Sequence, residues 1–339
     1  MRPFIVPIFI PHEGCPHRCL FCEQGRITGV TPGRVSAAKV ERLLNMALSS
    51  TGFHPERHPQ VAFYGGTFTG LPLERMEELL GAAAPYLHSG RFRSIRVSTR
   101  PDALDAERLD LMKRHGVETV EVGAQSMNDR VLSLSRRGHG ADDTVRAVQR
   151  LKAYGFNVGL QLMPGLPGDS PEVFRSTVAA CLAMRPDTIR LYPALVIKGT
   201  GLAERYEADA YRPWSLETAV RACAEACERF ENEGIPVIRL GLMDTPDLSR
   251  EGRVLAGPRH PAFGFLVRSK MRLKALSRDL PRPGETERIY IRVPEREIPL
   301  VRGHRNEGTR WIEQITGAAV VSVTADDSLP PGKARIDKT

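Results

Sequence analysis

Gly14-Cys15-Pro16-His17-Arg18-Cys19-Leu20-Phe21-Cys22 places three of the chain's six cysteines in one short stretch, directly after a run of apolar residues. The spacings between these cysteines let all three thiolates reach one common point. An ordinary [4Fe–4S] cluster is held by four cysteines, so three would leave one iron open to an exchangeable ligand. Cys15, Cys19 and Cys22 with His17 or His12 are also the donor set of a Cys₃His zinc site, so both kinds of metal site stay open here. A disulfide is disfavoured because no export signal precedes the loop.

The composition is that of an ordinary globular protein, with 41% hydrophobic and 26% charged residues in 339. No apolar run approaches the length of a membrane span, and we expect a cytoplasmic protein without a membrane partner. The formal net charge of +8 favours an anionic partner such as nucleic acid or a phosphorylated or carboxylated small molecule. An arginine-rich surface that serves only solubility explains the same charge.

Apolar strands alternate with helical segments along the first two thirds of the chain. This order predicts βαβ units and a parallel sheet, which right-handed crossovers curl into a partial (β/α)6-type barrel of the α/β class. Ligands of such a sheet bind at the C-terminal ends of its strands. The predicted strands cover residues 4–10, 61–64, 117–123, 156–163, 187–192 and 237–242, and residues 93–102 form the third strand together with the turn that follows it.

The second predicted strand runs straight into Gly65, Gly66 and Thr67. Paired glycines at a strand end let the backbone approach a ligand closely, although a tight turn into the next helix is the plain alternative. Polar residues at the ends of the third to fifth strands, Ser98, Arg100, Gln125 and Gln161, point to the same edge of the sheet. The sequence therefore predicts that the cysteine loop and a polar binding site share this edge.

Six motifs, in this order, resemble the radical S-adenosylmethionine (SAM) core of the Elongator catalytic subunit and its bacterial relatives. They are residues 15–22, 63–69, 98–102, 121–126, 137–139 and 190–197. A more distant likeness is to oxygen-independent coproporphyrinogen oxidase. The resemblance implies that Cys15, Cys19 and Cys22 hold a [4Fe–4S] cluster whose open iron binds SAM. It also implies reductive cleavage of SAM to a 5′-deoxyadenosyl radical, with electrons from a flavodoxin- or ferredoxin-type donor.

The resemblance also assigns the SAM contacts. Phe21 matches the aromatic residue beside the adenine, and Gly65, Gly66 and Thr67 match the turn that seats the methionyl group. Thr67 stands where the superfamily more often has an acidic residue. Further candidates for SAM or substrate contacts are Ser98, Arg100, Gln125 and Gln161.

The resemblance ends near residue 245, so we expect only the radical core to be shared. The Elongator subunit adds an acetyltransferase domain and carboxymethylates the wobble uridine of transfer RNA (tRNA), and too little sequence follows residue 285 for that domain. We predict a core at 1–245, a basic helical extension and linker at 246–284, a small α+β domain at 285–327, and a disordered tail at 328–339.

The small C-terminal domain weakly resembles a KH unit, in which a Gly-x-x-Gly loop clamps a nucleic-acid backbone. The loop residues here are Arg302, Gly303, His304 and Arg305, and Asn306 stands where the second glycine belongs. The basic side chains favour RNA binding. An appendage without an RNA role remains open.

Three hypotheses follow. The first is a radical SAM enzyme that modifies RNA, with tRNA as the expected class. The second is a radical SAM enzyme that acts on an anionic small molecule, such as a tetrapyrrole precursor. The third is a non-catalytic protein with a structural zinc ion or cluster.

Overall fold

The alternation of apolar strands and helices builds one parallel sheet. The computed structural model describes residues 3–16, 18–25, 35–242, 245–246 and 248–339. Within them the seven sheet strands are β1 Ile5–Phe9, β2 Gln60–Tyr64, β3 Ser94–Thr99, β4 Val117–Gln125, β5 Asn157–Leu162, β6 Thr188–Leu191 and β8 Val237–Leu240. They are all parallel and pair in the order β1-β2-β3-β4-β5-β6-β8. This open, curled sheet confirms the predicted partial barrel and the predicted α/β class.

Helices connect successive strands of this sheet. They are α1 Ala37–Leu48, α2 Leu73–His88, α3 Ala106–Arg114, α4 Asp129–Leu134, α5 Ala141–Ala153, α6 Pro171–Met184, α7 Gly201–Glu207 and α8 Leu216–Asn232. Ser36 caps α1 by accepting a hydrogen bond from the Lys39 amide at 3.2 Å, as the sequence indicates. The cap of α3 is Asp105, which accepts from the Arg108 amide at 2.9 Å. A two-stranded antiparallel ribbon joins β7 Val196–Ile197 to β9 Val254–Ala256.

The chain divides into two compact units, residues 1–215 with 230–259 and residues 216–229 with 260–339. The predicted domain limits at residues 245, 284 and 327 stay predictions. Of the part of the chain that the structure describes, no helix combines the length and apolar character that crossing a membrane requires.

The second unit contains α9 Phe263–Leu276, β10 Arg288–Val293, α10 Ile298–Arg302, α11 Glu307–Thr316, β11 Ala319–Ala325 and β12 Arg335–Lys338. β10 lies between β11, which is parallel to it, and β12, which is antiparallel. The β-α-α-β order from β10 to β11 places the 303–306 loop between α10 and α11. A separate apolar core, with Ile289, Ile291 and Ile312 fully buried, stabilises this unit.

The prediction of a disordered tail is wrong for its last residues. Ile336 pairs with Ile291 of β10 and packs against the core of the second unit, while Asp337 forms an ion pair with Arg292 at 2.9 Å. The polar, proline-rich composition before β12 indicates disorder. A free strand edge nevertheless recruits even a polar segment through backbone hydrogen bonds.

Candidate functional site

The cysteine loop lies after β1, at the edge where the parallel strands end. The Cys15 thiol lies 3.3 Å from the Thr67 hydroxyl, and Cys19 Sγ accepts a hydrogen bond from Arg137 Nη1 at 2.9 Å. Burial raises the pKa of the Cys22 thiol to about 12, and the charges of Cys19 and Cys15 add to that rise. Thiolates at these three positions would repel one another, and the positive charge of a bound iron–sulfur core would offset that repulsion.

The glycine-rich turn after β2 locks this loop in place. The Thr67 amide donates to the Glu13 carbonyl at 2.9 Å. A Cβ atom on Gly66 would lie 2.1 Å from the Glu13 carbonyl oxygen, and one on Gly14 would lie 2.1 Å from the Thr67 carbonyl oxygen. Glycine is required at both positions because two backbones touch there. Close packing therefore requires glycine at position 66, independently of the predicted SAM contact. Gly65 has a φ of +105°, which glycine adopts readily and which forms the turn itself.

Two further segments anchor the loop through Leu20. The Leu20 amide donates to the Ser135 carbonyl at 3.1 Å, and the Leu20 carbonyl accepts from the Leu202 amide at the start of α7 at 2.8 Å. Leu20 and Phe21 are buried in an apolar cluster with Leu166, and Cys19 and Cys22 pack against it. This cluster shields Cys19 and Cys22 from water on one side.

Arg137 is the site residue that sequence reasoning missed. It is buried, and it donates to Cys19 Sγ, to the Gly123 carbonyl at 2.7 Å and to His139 Nε2 at 3.3 Å. His139 Nδ1 lies 3.2 Å from the Gly140 carbonyl, which fixes a neutral ring with its proton on Nδ1. The sequence signal was the Arg137-Gly138-His139 motif, which says nothing by itself about a contact with the cysteine loop.

The histidines proposed for a zinc site fall into two cases. His17 lies outside the described residues. His12 Nε2 accepts a hydrogen bond from the backbone amide of Gln24 at 3.0 Å, so this nitrogen already has a partner. Burial also lowers the pKa of the His12 ring. Among the residues that the structure describes, no three His, Cys, Asp or Glu side chains lie close enough to hold one metal ion. A [4Fe–4S] cube binds each cysteine through a different iron, so its cysteines need not meet at one ion.

The remaining predicted SAM contacts lie at the ends of β3, β4 and β5. Ser98 is half-buried, and Arg100 is buried and ion-paired with Asp102 at 2.7 Å. Gln125 Oε1 accepts a hydrogen bond from Gln161 Nε2 at 3.2 Å. Gln125 has φ of +67° at an irregularity of the β4–β5 ladder, a strained conformation of the kind that collects at functional sites.

One face of the sheet carries a buried charged network just below this edge. Glu121 of β4 accepts from Arg96 Nη1 at 2.7 Å and from the Tyr64 hydroxyl at 3.1 Å, and its second oxygen accepts from Arg190 of β6. Gln60 extends the network by accepting from Arg96 Nη2 at 2.9 Å. These partners of Glu121 were not predicted from the sequence.

The donor set fits the implied cofactors. Three thiols on one loop, a buried guanidinium on one of them and a glycine turn against the same loop provide the ligands and the support that a three-cysteine cluster needs. Polar side chains on the neighbouring strand ends are of the kind that binds the charged methionyl group of SAM.

The fold and the site define a member of the radical SAM class. The sequence matches the Radical SAM superfamily over residues 9–181 and the Radical_SAM C-terminal domain over residues 186–273, and the chain belongs to this superfamily. Family membership makes it an enzyme of the radical SAM type, so the third hypothesis, a non-catalytic binding protein, is wrong.

Within the superfamily the chain is similar to Elongator-type proteins. It is 27% identical over 260 residues to the tRNA uridine(34) acetyltransferase of Methanocaldococcus infernus, covering 66% of this chain and 48% of that protein. It is 31% identical over 262 residues to Elongator complex protein 3 of Mus musculus, covering 63% of this chain and 47% of that protein. The chain thus spans about half the length of these curated relatives.

A solved structure supports the fold assignment. The archaeal Methanocaldococcus infernus Elp3 matches with a TM-score of 0.62 and 23% identity, covering 81% of this chain and 64% of that chain. The predicted likeness to the Elongator radical core is confirmed.

Proposed function

We propose that this enzyme modifies RNA, with tRNA as the substrate class, in the cytoplasm. The observation that carries the proposal is the similarity of the radical core to relatives whose name states action on uridine 34 of tRNA. The formal net charge of +8 supports it, because a cationic protein attracts the phosphate backbone. The reducing conditions of the cytoplasm suit an oxygen-sensitive cluster and a flavodoxin- or ferredoxin-type donor.

Cys15, Cys19 and Cys22 hold the [4Fe–4S] cluster in this proposal. Phe21 and the Gly65–Thr67 turn, with Ser98, Arg100, Gln125 and Gln161, bind SAM. When bound, the two cofactors supply the reductive cleavage that generates a 5′-deoxyadenosyl radical. The protein positions the cysteines and excludes water from them. Thr67 contacts the Cys15 sulfur, Arg137 donates a hydrogen bond to the Cys19 sulfur, and the apolar cluster around Leu20 and Phe21 excludes water.

The loop between α10 and α11 is the proposed RNA contact of the second unit. Arg305 is exposed with φ of +50°, and His304 packs edge-on against His260 with ring centroids 4.9 Å apart. Arg302 donates to the Val323 carbonyl at 3.1 Å, so its side chain is tied to β11. The Gly303 amide already donates to the Pro299 carbonyl at 2.9 Å, so the exposed side chain of Arg305 is the part of the loop best placed for a phosphate.

The test is anaerobic reconstitution with iron and sulfide, followed by dithionite and SAM, with 5′-deoxyadenosine measured with and without bulk tRNA. We expect turnover that tRNA stimulates. Basal turnover that tRNA leaves unchanged would support the second hypothesis, an anionic small-molecule substrate, and overturn the RNA proposal. The control variant is Cys181→Ala, because Cys181 is fully buried in α6 and serves neither cofactor.

A further inference from the structure

On the face of the sheet that carries Glu121, called the inner face below, the described residues of this network include more arginines than carboxylates. Arg96 and Arg190 share one carboxylate, that of Glu121. Arg239 of β8 is the register neighbour of Arg190, and its Nε donates to the Gly241 carbonyl at 3.3 Å. Among the described residues Arg239 has no carboxylate partner, so three guanidinium groups face one carboxylate.

Arg190 is held rigidly at this point. Its guanidinium lies 5.1 Å from the ring centroid of Tyr64 and 5.2 Å from that of Tyr192, and one of its terminal nitrogens is bonded to Glu121. Its Nε is buried without an acceptor. Such stacking fixes the plane of the guanidinium and leaves it short of hydrogen-bond acceptors.

Arg239 adds a second positive charge beside Arg190. Arg239 pairs in register with Arg190, so the two side chains leave the same face of the sheet. Burial raises the pKa of the Tyr192 hydroxyl, and the charges of Arg190 and Arg239 both oppose that rise. Two like charges on neighbouring strands repel, and the repulsion grows with burial because the dielectric falls. Arg190 and Arg239 are both half-buried, and an anion bound between them would relieve this repulsion.

We propose that Arg190 and Arg239 form an oxyanion site on the inner face of the sheet that binds a phosphate group of the substrate. Guanidinium groups bind phosphate through paired, charge-assisted hydrogen bonds, and the Tyr192 hydroxyl is a further donor nearby. The phosphate belongs to the RNA backbone if the proposed function holds. A free phosphorylated molecule presents the same chemistry, and the experiment separates these two sources.

The first arm tests the site with inorganic phosphate. The thermal midpoint of the reconstituted full chain is measured against phosphate at constant ionic strength, with chloride as the reference. A ligand that binds only the folded state raises the midpoint in a saturable way. We expect this in the wild type, and at least tenfold weaker phosphate binding in Arg239→Gln. Arg114→Gln is the matched control, since it removes one exposed charge from α3 and should respond as the wild type does.

The second arm tests the source of the phosphate through the salt dependence of tRNA binding. Loss of one contact to single-stranded RNA lowers the slope of log K against log salt by about 0.7. We expect that reduction in Arg239→Gln and not in Arg114→Gln. A lost phosphate response with an unchanged slope would keep the oxyanion site but assign it to a free phosphorylated molecule.

Two outcomes would overturn the site itself: no saturable phosphate effect in the wild type, or an equal effect in Arg239→Gln. Absence of tRNA binding in every variant would overturn the proposed RNA function alone. The phosphate arm would still report on the site in that case. Arg190 is left unchanged throughout, because its removal would deprive the buried Glu121 of a partner.

Discussion

Gly159 of β5 occupies the position over which Glu121 of β4 reaches Arg190 of β6. In register it lies between Glu121 and Thr188. A Cβ atom there would lie 2.9 Å from the Thr188 hydroxyl oxygen and 3.3 Å from Glu121 Cγ. The missing side chain is thus what lets the buried ion pair form across an intervening strand.

We predict that Gly159→Ala destabilises the protein by about 1–3 kcal/mol, the usual range for overpacking a tightly filled site. Equilibrium unfolding in urea measures this change. Gly81→Ala is the matched control, because a Cβ on this α2 glycine meets nothing within 4 Å. It should stabilise by about 0.5–1 kcal/mol through helix propensity. Equal effects of the two substitutions would contradict this account of Gly159.

His139 couples stability to pH. Burial, with the charge of Arg137 next, lowers the pKa of its ring to about 4 in the folded protein, whereas an unfolded histidine titrates near 6.5. Between these values the unfolded state binds more protons than the folded state. The contribution of His139 to stability therefore falls as pH falls from about 6.5 towards about 4.

The prediction compares the wild type with His139→Gln in urea unfolding at pH 7.5 and pH 5.0. The wild type should lose about 2 kcal/mol more than the variant on going to pH 5.0, from 1.36 kcal/mol per pH unit below 6.5. Asp169 acts in the opposite direction, because burial raises the pKa of its carboxyl to about 7. Its effect is common to both proteins and cancels in the difference. A difference that does not change with pH would show that folding does not lower the pKa of His139.

The elements of the sheet could be read from the sequence because their signals are local. The predicted strands at 4–10, 61–64, 117–123 and 187–192 are observed as Ile5–Phe9, Gln60–Tyr64, Val117–Gln125 and Thr188–Leu191. Continuous apolar runs specify strands buried on both faces of a parallel sheet. The glycine-rich turn and the cysteine loop were placed at one edge because parallel strands end together.

Contacts between distant segments could not be read in this way. Arg137 reaches Cys19 across 118 residues, and Arg190 reaches Glu121 across 69. No local pattern encodes such partners, since they depend on strand order and on the room that Gly159 leaves. The prediction of disorder for the last residues was wrong for a related reason. β12 is ordered because it pairs with the free edge of β10, and its own composition does not indicate this pairing.

We predict that the two arginines of the α10–α11 loop differ in their effect on tRNA binding. Arg305→Ala should weaken tRNA binding several-fold and reduce its salt dependence, because the side chain is exposed and near the turn. Arg302→Ala should act mainly on stability, because Arg302 is bonded to the Val323 carbonyl. Filter binding at two salt concentrations, with urea unfolding of both variants, separates the two effects. Equal loss of tRNA binding in both variants would mean that Arg302 contacts RNA despite its hydrogen bond to the Val323 carbonyl.

At the scale of the whole molecule the six cysteines form two sets. Cys15, Cys19 and Cys22 lie on the loop, where Arg137 and Thr67 contact their sulfurs. Cys181, Cys223 and Cys227 are fully buried, and burial raises the pKa of Cys181 to about 12. A thiol held protonated in an apolar core is a poor metal ligand, so these three serve packing.

The two sets should therefore differ in iron binding. After anaerobic reconstitution we expect about four iron and four sulfide ions per chain in the wild type and in Cys181→Ala. Cys19→Ala should lose most of this iron and the visible absorbance of the cluster, because two cysteines cannot hold the cube.

Removing iron from the wild type with a chelator should abolish SAM cleavage and leave the urea unfolding of the second unit unchanged, since its core contains none of the loop. Full iron in Cys19→Ala, or stoichiometric zinc in the wild type as isolated, would show that the loop does not hold the cluster.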